Sequence, residues 1–202
     1  MRQLLKRVRT EVDRVNPETL LVIEGCGDIG REFGDGFIAH GHFWTDQTFD
    51  EPFVRFLHPD MRQFESWGYV SRGGSNDDLK RWFIWNSVNG HRAYAHNASR
   101  EVMSELSAKI RRYYDSFPEI CDSPISVLDV TTEGAVAQLF DGPPRILTVG
   151  NPTAQPVEVR LVLPVPGAVL LDRVSGQRLS LTNRTTRMGL GPWEYRAFEI
   201  RP

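Results

Sequence analysis

Cysteine is scarce in this sequence. Cys26 and Cys121 are the only two in 202 residues, too few for a disulfide scaffold, and a chain this long buries a core without one. No sign of charge predominates either. With 24 Lys+Arg against 26 Asp+Glu and a formal net charge of −2, there is no basic stripe to neutralise a phosphate backbone, so nucleic acid is excluded as a first partner. Long apolar runs are also missing. Nothing approaches the roughly 18 uninterrupted apolar residues of a membrane span. The opening MRQLLKRVRTEVDR carries charge at every turn, so no membrane partner is expected. What is present, 40% hydrophobic and 10% aromatic residues, is enough for a globular core.

Composition divides the chain near Asp122–Pro124. All five histidines and four of the five tryptophans precede this point, whereas nine of the thirteen prolines lie from Pro124 onward. Two domains are expected, 1–122 and 123–202. In the first, Leu4, Leu5, Val8, Val12 and Val15 recur every three to four residues, the spacing of an amphipathic helix ending at Asn16-Pro17. TLLVIE (19–24) is a continuous apolar run like those of parallel strands covered on both faces, and GCGDIG follows it. GFIAHG (36–41) and PFVRFLHP (52–59) read as further strands, SRGGSN (71–76) as a loop, and 77–88 and 99–117 as helices. Helix, tight turn and buried strand in alternation make an α/β region.

From Pro124 the hydrophobic period changes to two, in segments such as VAQLF, RILTVGN, VEVRLVLP and YRAFEI, broken by Gly, Pro or Asn every eight to twelve residues. That is an antiparallel β-sandwich pattern. This half has no His or Cys, and its acids stand singly, so chemistry is expected in the first half.

Gly25, Gly27 and Gly30 match G-x-G-x-x-G after a strand, but the third glycine of a dinucleotide site opens a helix. Here Gly34 and Gly36 interrupt the next two turns, so no nucleotide cofactor is expected. Glu24 is the sharper signal. A carboxylate closing an apolar strand sits at the carboxyl edge of the sheet, where α/β folds place their ligands. Asp28 follows four residues later as its partner. His40, His58 and Asp60 border the next two apolar runs and are expected on the same rim, with Trp44 as a ring on which a sugar stacks. His40, His42, His58 and Asp60 match no closed metal-ligand pattern such as H-E-x-x-H, so no metal is assigned. No G-x-S-x-G elbow is present, and Cys26 has no testable triad.

The order of pieces, TLLVIEG, GDGFIAHG, FVRFLHPD, two helices, then NPTAQPVEVRLVLP and VLLDRVSGQRL, resembles the C-terminal part of a TIM-barrel glycoside hydrolase of the α-galactosidase/α-amylase-like kind, with its appended β-sandwich. The resemblance implies α/β followed by all-β: the last strands and helices of a (β/α) barrel, with TLLVIEG about the sixth strand. It implies Glu24 and Asp28 as catalytic carboxylates, His40, Trp44, His58 and Asp60 as sugar contacts, and a carbohydrate substrate. A closed barrel takes about 250 residues and only some 120 precede the sandwich here. The chain is therefore expected to be incomplete for catalysis and to self-associate through an open sheet edge. The competing expectation is a non-catalytic carbohydrate-binding or structural module.

Overall fold

A computed structural model of the protein describes residues 1–24, 32–39, 62–67, 75–95, 100–126 and 130–202. The first elements are α1 (Arg2–Val15), β1 (Val22–Glu24), β2 (Gly36–Ala39), β3 (Arg62–Trp67), α2 (Asn76–Val88), β4 (Arg92–Ala95), α3 (Arg100–Ser116) and α4 (Glu119–Asp122). β1 to β4 form one sheet in sequential order, parallel throughout. Parallel neighbours need crossovers, and α2 is the crossover from β3 to β4.

The first apolar run contributes only Val22–Glu24 as strand, and the second contributes Gly36–Ala39. The strand expected at 52–59 lies outside the described residues, as do 71–74 of the expected loop. β3 and β4 are additions to the sequence reading. RQFESW has no apolar run or alternation, and RAYA is short and alanine-rich, so neither carries β-propensity that stands out from its surroundings.

α2 starts from a capping box. Asp78 N donates to Ser75 Oγ at 3.2 Å while Ser75 N donates to Asp78 Oδ2 at 3.0 Å, satisfying two amides that a helix start leaves without partners. The Ser75 hydroxyl, which donates to Asp78 Oδ2 at 2.7 Å, and then the Ser75 N–H hold the Asp78 carboxyl below its ordinary value. Leu79 and all seven residues from Trp82 to Val88 are buried. A helix whose last two turns are buried on every side lies between two layers: β4 on one flank and β6, β7 and β12 on the other. Trp82 and Trp85 are accordingly packing residues. At the helix end Asn86 and Asn89 donate back to the carbonyls of Trp82 and Trp85, both at 3.0 Å, and His91 Nδ1 lies 2.8 Å from Asn86 Oδ1. All three polar side chains are buried.

The remaining strands are β5 (Thr131–Glu133), β6 (Val136–Phe140), β7 (Ile146–Gly150), β8 (Val157–Val162), β9 (Val169–Leu171), β10 (Arg178–Ser180), β11 (Thr185–Leu190) and β12 (Tyr195–Arg201). They pair antiparallel in two sheets, β10-β9-β12-β7-β6 and β11-β8-β5. All five residues of β7 are buried, because the larger sheet is covered on both faces. Ile146 joins Phe140, Tyr195 and Ala197 in a core with α2, α3 and Phe117. Leu147 and Val149 face the other way, into a core with Val159, Leu161, Met188 and Leu190 of the smaller sheet. A strand side-chain period of two makes this division automatic.

Polar bonds tie the layers where the apolar cores end. Arg173 Nη1 donates to Glu119 Oε1 and to Ser116 O, each at 2.9 Å, its Nε donates to Glu199 Oε2 at 2.9 Å, and its guanidinium lies 4.7 Å from the Phe117 ring centroid. Asn151, fully buried, holds the turn after β7: its amide donates to Gln155 O at 2.7 Å and Gly191 O at 2.8 Å, and its Oδ1 accepts from Thr153 N and Oγ1.

Candidate functional site at the carboxyl end of the parallel sheet

The two ends of the parallel sheet differ in chemistry. At the amino end Arg62 and Arg92, the first residues of β3 and β4, both reach α4. Arg62 Nε pairs with Asp122 Oδ1 at 2.9 Å and Arg92 Nε donates to Cys121 Sγ at 3.3 Å. The Arg92 guanidinium is held above its ordinary value chiefly by that thiol contact, against the opposing effect of burial. The amino end is thus closed by its own helix. The carboxyl end carries Glu24, Ala39, Trp67 and Ala95 as the last strand residues.

Of the expected site residues, Glu24 is described in its backbone, as the last residue of β1 in register with Ile38. Asp28, His40, Trp44, His58 and Asp60 lie outside the described residues. In the sequence, Asp28 follows the end of β1 by four residues, and His40 directly follows Ala39. Trp44 is five residues beyond β2. His58 and Asp60 precede Arg62, so they lead into β3 and do not follow a described strand.

Register adds a further position. Glu24, Ile38, Phe64 and Arg92 occupy one row across the sheet, and Ala39, Glu65 and Ala93 occupy the next. Successive rows belong to opposite faces. The row of Glu65 follows that of Arg92, with Ala39 and Ala93 beside it in register. The sequence analysis passed over Glu65 because nothing in RQFESW reads as a strand. The available signal was its position between two aromatics, Phe64 and Trp67, three residues apart.

Among the described residues no group of three or more His, Cys, Asp or Glu is placed to hold a metal ion. Among the described helices none is long and apolar enough to cross a membrane.

No protein-family model matches the sequence, and no curated protein sequence matches it. Solved structures do. A maltogenic α-amylase from Thermotoga neapolitana superposes with a TM-score of 0.66 at 14% identity, over 99% of this chain and 58% of its own. An Anoxybacillus α-amylase gives 0.66 at 11% identity, over 100% and 56%. A GH27 β-L-arabinopyranosidase from Geobacillus stearothermophilus gives 0.55 at 12%, over 100% and 54%. The likeness is one of fold. It accounts for essentially the whole of this chain, which spans little more than half the length of the proteins it resembles, and it agrees with the resemblance to the C-terminal part of barrel glycoside hydrolases read from the sequence.

Proposed function

We propose that this chain is the C-terminal part of a carbohydrate-acting glycoside hydrolase: residues 1–122 the closing portion of a (β/α) barrel, residues 123–202 its β-sandwich domain. The observation that carries the reading is the parallel sheet in sequential order running into antiparallel layers, an arrangement shared over the full chain with two α-amylases and an arabinopyranosidase. If β4 is the last of eight barrel strands, β1 is the fifth, one earlier than the sequence resemblance suggested. The reason is that β3 and β4 both follow β2.

In this reading the carboxyl end of the sheet holds the substrate, as it does in barrel enzymes. Glycoside hydrolysis needs two carboxyl groups, about 5–5.5 Å apart when configuration is retained and about 6.5–9.5 Å apart when it is inverted. Glu24 is assigned the acid/base role and Asp28 assists. His40, His58 and Asp60 bond hydroxyls, and Trp44 offers its face to the sugar ring. Glu65, one row beyond Glu24 in the register and two strands away, is a further carboxylate. The described residues hold four parallel strands, and the chain by itself is expected to be incomplete for turnover. The competing reading is a non-catalytic carbohydrate-binding module.

The test is titration of isotopically labelled protein with maltotriose, acarbose and arabinose, read by amide chemical shifts, for wild type and Glu24→Gln. Saturable shifts at Glu24, Ala39, Trp67 and Ala95, weakened by Glu24→Gln, are expected. Shifts confined to residues 131–201 would favour the binding module, and no saturation with any of the three sugars would remove the carbohydrate reading.

A further inference from the structure

Three tryptophan side chains are described, and they divide by exposure. Trp82 and Trp85 are 2% and 7% exposed, whereas Trp193, between β11 and β12, is half-buried at the rim of the core that α2 shares with the larger sheet. Its backbone is the unusual part. Gly191–Glu194 is a tight turn, closed by Glu194 N donating to Gly191 O at 3.3 Å and by Gly191 N donating to Glu194 Oε2 at 2.6 Å. Pro192 holds the second position and Trp193 the third, with a φ of +54°. A turn with proline second and positive φ third takes glycine or asparagine there, and a bulky side chain in that region is an outlier held by its surroundings. Trp193 N donates to Thr153 O at 3.1 Å, which ties the strained residue to the neighbouring loop. The turn carries this strain and still leaves the indole partly in water, where burial offsets it least.

The groups beside the indole are polar. Lys80 Nζ lies 5.7 Å from the ring centroid, and Asp77 Oδ1 lies 3.9 Å from that nitrogen. A ring with a donor and an acceptor beside it matches a sugar, whose C–H face stacks on an indole while the hydroxyls at its edge bond charged groups. Asp77 and Lys80 stand in the first two turns of α2. Because α2 starts beyond the carboxyl end of β3 and runs back to the start of β4, these turns belong to the same end of the α/β region as the carboxyl ends of the strands.

We propose that Trp193, with Lys80 and Asp77, is a carbohydrate-binding platform on the β-sandwich side of α2, separate from Glu24. Its ligand class rests on the carbohydrate reading above, and its place rests on the described side chains alone. Trp193 takes the face of the sugar ring, Lys80 donates to its hydroxyls and Asp77 accepts from them.

Titration of isotopically labelled protein with maltotriose and with maltoheptaose tests the platform through the indole N–H resonance of Trp193, identified by its loss in Trp193→Phe. A saturable shift of this resonance is expected. Trp193→Ala should weaken that binding about two- to tenfold, the worth of one stacking contact, whereas Trp193→Tyr keeps a ring and should bind within about twofold of wild type. Lys80→Met, which keeps the stem beside the ring and removes the donor, should weaken it as well. An indole resonance that stays fixed at saturating sugar, or Trp193→Ala binding as tightly as wild type, would overturn the platform. If Glu24, Ala39, Trp67 and Ala95 shift in that same titration, the carboxyl-end reading stands without it; shifts at Trp193 with none at those four positions do the reverse. Saturation with neither sugar overturns the platform too.

Discussion

Gly150 is where the antiparallel layers meet α2, and its replacement by alanine measures how firmly the two are joined. A Cβ at this position would lie 2.6 Å from Ile84 Cγ2 and 2.7 Å from Val88 Cγ2, where ordinary contact begins near 3.4 Å. Both neighbours are β-branched residues in a helix, whose χ1 has one strongly preferred setting. The methyls cannot swing away, and the helix must move. Overpacking of this kind costs about 1–3 kcal/mol. Loss of glycine's freedom in the unfolded chain returns about 0.4–1 kcal/mol, leaving a net destabilisation of up to about 2.6 kcal/mol. Urea denaturation reads this directly, and thermal unfolding shows it as a drop of about 2–4 °C per kcal/mol for a chain of this size. Ile84→Ala alone should cost about 2–5 kcal/mol by opening a cavity. In the double variant the new methyl occupies part of that cavity and one of the two clashes is gone. The double should therefore cost less than the sum of the singles by about 1 kcal/mol, well beyond the 0.3–0.5 kcal/mol within which independent sites add. Strict additivity with Ile84→Ala would refute the packing of α2 against β7.

Three further outcomes are expected. Tyr113 donates to Asp172 Oδ2 at 3.1 Å, and that carboxylate is fully buried, so Tyr113→Phe should cost about 1–3 kcal/mol in denaturant melts. Burial first, then Asp172, raises the phenol above its ordinary 10.0. The folded state therefore keeps a proton that the unfolded state releases: stability is full below pH 10 and falls as pH rises past it. Tyr113→Phe should lessen that alkaline fall, and an unchanged alkaline profile would contradict the assignment. Asn151→Asp puts a carboxylate against the Gln155 and Gly191 carbonyls in place of two donors. It should destabilise by about 2–4 kcal/mol at neutral pH, from two lost bonds and an unfavourably placed buried charge; wild-type-like thermal unfolding would show that the turn does not depend on the amide. Ser75→Ala removes the α2 cap and should cost about 1 kcal/mol, measured as a shift of the urea midpoint without a change in slope.

Helices were legible from the sequence wherever local signals agreed. The apolar stripe of α1 and the apolar positions of α2 and α3 recur at helical spacing, and each helix lies within a residue or two of where that spacing puts it. The period-two segments became antiparallel strands for the same local reason: alternate residues of β8 are buried, with Val159 and Leu161 inward and Glu158 and Arg160 outward. Sequence alone also identified Glu24 as a carboxylate closing a strand.

Tertiary structure decided the rest. β3 and β4 are strands because neighbours pair with them, not because RQFESW or RAYA prefers extension. Which face of the sheet a residue occupies depends on register, a relation between distant segments that no local pattern contains. That the last two turns of α2 are buried all round follows from their place between two sheets, and their own residues could not announce the second one.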